Sequence, residues 1–219
     1  MTDVTQYETV STDAGEARVA WYEGPEGPEG TRPWAVLALG HGAGGGIEAR
    51  DLQALAAALP ARGVTVALVE QPWRVAGKKV APAPKTLDTG WRGLWPALAR
   101  PGLPVIAGGR SAGARVACRT GRELGAVAVL ALSFPLHPPG KPEKSRADEL
   151  LGSGLPTLVV QGGNDPFGRP AEFPEGPYRL VGIPYGDHGF ALPKRAPLGP
   201  DEAMALLVDG VAEWITSLR

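Results

Sequence analysis

The amino-acid sequence predicts an α/β fold built on a doubly wound, mostly parallel sheet with helices on both faces. The first indication is a series of short apolar runs rich in Val, Leu and Ile, which are continuous rather than alternating. Continuous hydrophobicity is typical of strands that are covered on both faces, as in a parallel sheet. The second indication is that helical patterns lie between these runs, so that strand alternates with helix through right-handed crossovers. The predicted strands of this series are 34–39, 64–69, 105–107, 126–132 and 157–160.

Further elements extend this pattern towards both ends of the chain. Residues 17–23 and 178–183 are predicted as additional strands, and the Gly-Pro-Glu-rich cluster at 24–30 is expected to be a hairpin loop. The two longest loops, 72–89 and 135–144, are rich in proline and basic residues. Both loops follow predicted strand ends, which is where open α/β sheets place their ligand sites. The predicted helices are 49–59, 91–99, 112–124 and 201–218.

Length and composition limit the classes of protein to which the chain can belong. At 219 residues we expect one domain, residues 1–219, because α/β folds often reach this length as a single unit. A net charge of −1 indicates neither a nucleic-acid partner nor attraction to an anionic membrane, and a single cysteine excludes an internal disulfide. The polar first residues lack the features of a signal peptide, and no apolar stretch reaches the length of a membrane span. We therefore expect a cytoplasmic protein that acts on a small-molecule substrate, with an oligomeric state that the sequence does not predict.

The strongest local signal is the segment Gly109-x-Ser111-x-Gly113, which follows the predicted strand 105–107 and opens the predicted helix 112–124. This pattern between a strand and a helix is typical of a nucleophile elbow, a strained turn that holds a serine Oγ clear of the backbone. The flanking glycines are needed because side chains at those positions would collide across the turn. The helix N-terminus also favours negative charge that develops near the serine. The same pattern arises by chance in a glycine-rich chain, and its position between strand and helix is what favours a functional role.

A nucleophilic serine needs a base, and His188 is the best candidate among the three histidines. It lies in a glycine-flanked loop between the predicted strand 178–183 and the last helix. Asp165 follows the predicted strand 157–160 and completes the order serine, acid, histidine along the chain, which is typical of one class of catalytic triad. An ordinary Asx turn would also explain Asp165, since Asn-Asp-Pro favours turns. The alternative acid, Asp187, is adjacent to His188 in sequence, which makes a bond to that imidazole difficult.

A glycine-rich loop follows the predicted strand 34–39 and has the sequence Gly40-His41-Gly42-Ala43-Gly44-Gly45-Gly46. It does not match the common phosphate-binding loop, because no Lys-Ser or Lys-Thr follows the glycines. A His-Gly start after a strand is instead typical of the loop that supplies one backbone N–H of an oxyanion hole, while the residue after the nucleophile supplies the other. We therefore predict that the N–H groups of Ala43 and Ala112 form an oxyanion hole. Gly42 and Gly44 are neighbouring candidates for contact with substrate.

Together these segments resemble the α/β-hydrolase superfamily and, within it, the small dienelactone-hydrolase-like group that includes bacterial proteins and the testis-expressed and NSL-complex-subunit hydrolase-fold domains. The resemblance covers most of the chain from residue 34 onward and implies an α/β-hydrolase fold with a carboxylesterase-like activity. Dienelactone hydrolases proper use a cysteine nucleophile, whereas this chain has Ser111 at that position. The resembling segments are His41-Gly42-Ala43-Gly44, Gly108-Gly109-Arg110-Ser111, residues 134–142, residues 161–168 and Gly186-Asp187-His188.

The predicted chemistry is hydrolysis of small esters or thioesters through an acyl-enzyme on Ser111, with His188 as the base and Asp165 as the group that orients it. This chemistry requires no metal or organic cofactor. An amidase or peptidase with the same triad is one alternative, and a non-catalytic scaffold with the same fold is another. The scaffold is disfavoured because it has no physical need for the serine, acid, histidine and glycine loop together. Since loop 135–144 is short, we expect a minimal lid or none and an open site.

Several other side chains are weaker candidates for substrate binding. Arg110 and the basic residues of loop 72–89 could recognise a carboxylate or phosphate, although an internal ion pair for Arg110 and solvated loop charge are the commoner uses. Trp73 and His137 follow predicted strands and could border the pocket, whereas core packing and loop structure are the alternatives. Cys118 is expected to be a small buried core residue rather than a reactive thiol.

Overall fold

The computed structural model of the protein describes residues 4–24 and 33–219. Within these residues, eight strands form one sheet and six α-helices pack against it. The strands are β1 (Gln6–Thr12), β2 (Gly15–Tyr22), β3 (Ala35–Gly40), β4 (Val64–Glu70), β5 (Val105–Arg110), β6 (Ala128–Leu132), β7 (Thr157–Gly162) and β8 (Tyr178–Ile183). The helices are α1 (Arg50–Ala58), α2 (Pro72–Val75), α3 (Pro84–Ala99), α4 (Ala112–Thr120), α5 (Ala147–Leu151) and α6 (Pro200–Thr216), with short 3₁₀ turns at Pro60–Arg62 and Pro170–Glu172.

The sheet has the order β1-β2-β4-β3-β5-β6-β7-β8. The strands from β3 to β8 are parallel to their neighbours, whereas β2 pairs antiparallel with both β1 and β4. One apolar core lies between the sheet and α3 and α4, and a second lies on the opposite face beneath α1 and α6. The prediction of a doubly wound, mostly parallel sheet with helices on both faces is therefore confirmed.

The structure adds elements that the sequence did not reveal. Strand β1 is largely exposed and polar because it lies at the edge of the sheet, so it has no continuous apolar run. Loop 72–89 contains α2 and the beginning of α3, which starts at Pro84, a residue that is favourable in the first helical turn. The expected hairpin at 24–30 is wrong in its pairing, because β2 does not pair with β3. Apart from residue 24, that cluster lies outside the described residues.

The carboxyl ends of the parallel strands form one edge of the sheet, and the connections at this edge carry the candidate site. Between β6 and β7 the chain forms only the five-residue helix α5, and the described residues contain no inserted lid. Within residues 4–24 and 33–219, no helix is both long and apolar enough to span a bilayer.

Helix α4, which follows Ser111, is joined to its neighbours by a network of charged side chains. Glu149 on α5 accepts hydrogen bonds from Arg115 Nε at 2.8 Å and from Arg119 Nη1 at 2.9 Å. Arg119 also binds both carboxylate oxygens of Asp88 on α3. Burial alone would raise the pKa of Glu149, but the hydrogen bonds and charges of the two guanidinium groups outweigh it and lower this pKa. The network therefore fixes the helix that begins at the elbow.

Candidate active site

Ser111 lies at the junction of β5 and α4 in a strained backbone conformation. Its φ of 53° and ψ of −109° are unusual for a residue with a side chain, and its N–H donates to Leu132 O of β6 at 2.9 Å. A Cβ added to Gly109 would lie 2.6 Å from Gly40 O and 2.7 Å from the carbonyl carbon of Gly113. Both elbow glycines are therefore required. Side chains at these positions would collide across the turn, as predicted, and also with the end of β3.

The structure brings Ser111, His188 and Asp165 together at the carboxyl edge of the sheet. His188 Nε2 lies 2.9 Å from Ser111 Oγ, and His188 Nδ1 lies 2.8 Å from Asp165 Oδ2. Because the carboxylate accepts a hydrogen bond, Nδ1 carries the proton and Nε2 accepts the hydroxyl proton of the serine. The ring of Phe167 stacks on the imidazole with a centroid distance of 4.2 Å. Their catalytic roles stay predictions, but the three groups form one continuous hydrogen-bonded relay.

Asp165 is held by hydrogen-bond donors that were not predicted from the sequence. Its Oδ1 accepts a hydrogen bond from Phe167 N at 2.8 Å, as in an Asx turn, and its Oδ2 accepts a second bond from Gln161 Nε2 at 2.8 Å. The same Gln161 amide donates to Gly168 O. The turn and the contact with His188 therefore coexist rather than compete. A polar glutamine in the otherwise apolar run of β7 is the signal that could have indicated this partner.

Asp187, the alternative acid, serves a different purpose. Its Oδ1 accepts hydrogen bonds from Gly189 N at 2.7 Å and Ala191 N at 2.9 Å, so it closes the turn that carries His188. The imidazole of His188 contacts Asp165 instead. The geometry therefore agrees with the choice of Asp165 over Asp187.

Arg110 points into the protein and reaches the backbone of the histidine loop. Its Nη2 donates to His188 O at 3.0 Å, and its Nε lies 3.3 Å from Oδ2 of Asp51 on α1, in an ion pair without hydrogen-bond alignment. Burial raises the pKa of Asp51, and the positive charge of Arg110 opposes this effect only in part. Of the two predicted uses of Arg110, the structure shows the internal ion pair. Asp51 was not identified from the sequence, because an acid in the first turn of a helix is common.

His41 fixes the glycine-rich loop beside Ser111. Its Nε2 accepts a hydrogen bond from Gln71 N at 3.1 Å, so Nδ1 carries the proton and donates to Gly42 O at 2.8 Å. Burial lowers the pKa of His41, which favours this neutral form. A Cβ added to Gly42 would lie 3.4 Å from Ser111 Cβ, which shows how closely the loop passes the serine.

Ala43 and Ala112, the two residues predicted to form the oxyanion hole, directly follow Gly42 and Ser111 in the chain. Ala112 is the first residue of α4, so its N–H has no acceptor in the preceding turn of that helix. Ala43 and Gly44 are exposed, and a Cβ added to Gly44 would meet no atom within 4 Å. The position of the loop is compatible with the predicted oxyanion hole, and that role stays a prediction.

Three of the remaining candidates, Trp73, His137 and Cys118, are buried, whereas the lysines of loop 72–89 are not. Trp73 is 5% exposed and packs edge-to-face on His41 with a centroid distance of 5.4 Å. His137 is 6% exposed, donates from Nδ1 to Pro138 O at 3.0 Å and lies 3.4 Å from Glu172 Oε1, which agrees with a role in loop structure. Cys118 is a buried core residue, and burial raises the pKa of its thiol to about 12. The basic side chains Lys78, Lys79 and Lys85 of loop 72–89 are exposed.

A narrow crevice lies next to Ser111 on the side of β4. It is lined by Gly42, Ala43 and Ala112, and it is too narrow to hold a water molecule. Gln71, Trp73, Leu87 and Val116 also line it. The site therefore combines a hydroxyl, a neutral imidazole able to accept its proton, and a mainly apolar recess. Within residues 4–24 and 33–219, no group of three or more His, Cys, Asp or Glu side chains is arranged to hold a metal ion.

Comparison with known proteins identifies the family. A model of the alpha/beta hydrolase domain matches residues 33–216. Similar solved structures include a lidless serine hydrolase from Xanthomonas campestris, with 20% identity, a TM-score of 0.72 and coverage of 95% of this chain and 94% of that one. They also include dienelactone hydrolase from Anabaena variabilis, with 19% identity, a TM-score of 0.71 and coverage of 97% and 96%. Est1E from Butyrivibrio proteoclasticus has 16% identity, a TM-score of 0.70 and coverage of 98% and 99%. No curated protein sequence matches the chain. The chain belongs to the alpha/beta hydrolase domain family.

Proposed function

We propose that this protein is a serine hydrolase that cleaves small ester or thioester substrates through an acyl-enzyme on Ser111. The observation that carries the proposal is the continuous relay from Ser111 Oγ through His188 to the buried carboxylate of Asp165, with distances of 2.9 Å and 2.8 Å. Similar structures that are described as serine hydrolases support it. A scaffold would gain nothing from a serine in a strained conformation beside a hydrogen-bonded imidazole.

The reaction has two stages. Ser111 Oγ attacks the carbonyl carbon while its proton moves to His188 Nε2, and the carbonyl oxygen becomes an oxyanion that the N–H groups of Ala43 and Ala112 would bind. The bond to the leaving alcohol or thiol then breaks, and the leaving group takes the proton from Nε2. Water next attacks the acyl-enzyme, loses a proton to Nε2 and releases the acid, and that proton returns to Ser111 Oγ. Asp165 stabilises the imidazolium in both stages.

Hydrolysis of phenyl acetate by the purified protein tests this proposal. Ser111→Ala removes the nucleophile, and we expect kcat/KM to fall by at least about 10³-fold because only binding and oxyanion contacts remain. Ser133→Ala is the matched control, since Ser133 also has a positive φ after the neighbouring strand but is fully buried. This control should retain activity within about twofold, because Ser133 Oγ has no hydrogen-bond partner among the described residues and is not part of the relay.

Equal activity of the wild type and Ser111→Ala would show that the assignment is wrong. A parallel assay with the thioester and the anilide of acetic acid ranks the leaving groups. The proposal expects ester and thioester to be cleaved faster than anilide, and faster cleavage of the anilide would favour an amidase.

A further inference from the structure

The half-buried ring of Phe167 stacks on the imidazole of His188, and the proposed reaction gives that ring no role. The two ring centroids lie 4.2 Å apart with an angle of 30° between the ring planes, so the imidazole lies over the face of the benzene ring. The other aromatic pairs of the described residues are tilted or meet edge to face. The one stacked pair of the described residues therefore includes the base of the proposed relay.

Hydrogen bonds on both sides of Phe167 hold its backbone in this position. Its N–H donates to Asp165 Oδ1 at 2.8 Å, and its carbonyl oxygen accepts a hydrogen bond from His137 N at 3.0 Å. The carbonyl oxygen of the next residue, Gly168, accepts a hydrogen bond from Gln161 Nε2 at 2.8 Å. The carboxylate that contacts the imidazole therefore also fixes the residue whose ring covers that imidazole.

The charge of the imidazole changes during the proposed reaction, and an aromatic face responds to this change. The face of a benzene ring carries partial negative charge, so it attracts a cation within about 6 Å of its centroid. When Nε2 of His188 takes the hydroxyl proton of Ser111, the neutral imidazole becomes an imidazolium. Because the attraction to the ring face is stronger for the imidazolium than for the imidazole, it increases as the transition state forms. Only interactions of this kind accelerate the chemical step.

We propose that Phe167 is a positioning residue that acts through His188: its ring fixes the orientation of the imidazole, and its π face stabilises the imidazolium in the transition state. This inference rests on the proposed serine hydrolase function. It adds an electrostatic contribution at the face of the imidazole to the one that Asp165 makes at Nδ1. The contribution does not depend on the leaving group, because the same imidazolium forms whichever ester is attacked.

Fluorinated phenylalanines at position 167 test the inference, because each added fluorine withdraws negative charge from the ring face while the shape of the ring changes little. The analogues are 4-fluoro-, 3,5-difluoro- and 3,4,5-trifluorophenylalanine, each incorporated at this position of the whole chain. We expect kcat for phenyl acetate to fall stepwise along the series, by about three- to tenfold in total, while KM changes by less than about twofold. Ethyl acetate, which has an alkyl leaving group, should show the same series. Phe167→Leu, which removes the π face, should lower kcat by about tenfold.

The same three analogues at Phe173 are the matched control, because this ring is also half-buried but its aromatic contact is edge to face with the neutral ring of Phe134. They should leave kcat within about twofold of the wild type. The inference is overturned by a flat series at position 167, by an equal slope at position 173, or by an effect on phenyl acetate that ethyl acetate does not show. In each of these cases hydrolysis that depends on Ser111 continues. Failure of the proposed function itself is different, since neither ester would then show turnover that depends on Ser111.

Discussion

Two carboxylates with the same exposure, about 1% each, hold His188 in different ways. Asp165 contacts the imidazole directly and receives three hydrogen bonds, from His188 Nδ1, Gln161 Nε2 and Phe167 N. Asp51 has no hydrogen bond to the imidazole among the described residues and instead pairs with Arg110, which binds the backbone carbonyl of His188. Its Oδ2 has no aligned donor.

The difference shows that burial alone does not determine what a carboxylate can do. The proposed mechanism needs a carboxylate in direct contact with the imidazole, and Asp165 Oδ2 provides that contact at 2.8 Å. Asp51 has one guanidinium and incomplete hydrogen bonding, and burial raises its pKa. We therefore expect Asp165 to act on the proton of His188 and Asp51 to act on the position of its loop.

The largest effect is expected from Asp165→Asn. The amide no longer favours the imidazole tautomer with a proton on Nδ1, so Nε2 is not free to accept the proton of Ser111. We expect kcat for phenyl acetate to fall by about 10⁴-fold, with little change in the fold by circular dichroism. A loss of less than about tenfold would contradict the comparison, because Asp165 would then act no more directly than Asp51.

A smaller effect is expected from Asp51→Asn. Arg110 loses its charged partner and the loop of His188 is held less firmly, so kcat should fall by about 10- to 100-fold while KM changes little. Asp201→Asn is the matched control, because Asp201 pairs with Arg50 next to Asp51 in sequence but is fully exposed. Equal kcat values for the two variants would exclude a positioning role for Asp51.

The smallest expected effect is on the pH dependence of the free energy of unfolding. Here Glu149, whose pKa is lowered, contrasts with Asp51, whose pKa is raised. Because the arginines lower the pKa of Glu149 in the folded protein, its stabilising contribution is complete above the ordinary value of 4.5 and is lost as pH falls through the lower folded value. In urea unfolding, Glu149→Gln should therefore be less stable than the wild type by about 1 kcal/mol at pH 7, with the difference shrinking in acid.

Asp51 should show the opposite sign in the same titration. Its folded pKa lies above the ordinary value of 3.8, so the wild type gains stability relative to Asp51→Asn as pH falls from that raised value towards 3.8. Parallel pH dependence for Asp51→Asn and Glu149→Gln would contradict the different environments of these two acids.

The central strands were predictable because each is a continuous apolar run covered on both faces. Strand β1 and helices α2 and α5 were not, since an exposed edge strand and helices of four or five residues leave little periodicity. Strand β5 was predicted to end at residue 107 but continues to Arg110, because Gly108 and Gly109 conceal the strand. A side chain at Gly109 would collide with Gly40 and Gly113, and one at Gly108 would collide with Leu39 and Leu130 on the neighbouring strands.

For the site, chain order and strand ends were enough to select Ser111, Asp165 and His188, which the structure places in contact. The side chains that support them were not predictable. Asp51 and Gln161 lie far from each other in sequence, and each has an ordinary local explanation as a helix or strand residue. Only the three-dimensional contacts show that Gln161 binds Asp165 and that Asp51 pairs with the arginine that binds the backbone of His188.

Reaction of the purified protein with a fluorophosphonate, followed by peptide mass spectrometry, tests most directly whether Ser111 is the nucleophile. We expect one adduct, on Ser111, that forms at least about 10³-fold more slowly when His188 is replaced by alanine. The absence of an adduct, or an adduct on a different residue, would contradict the assignment of Ser111 as the nucleophile.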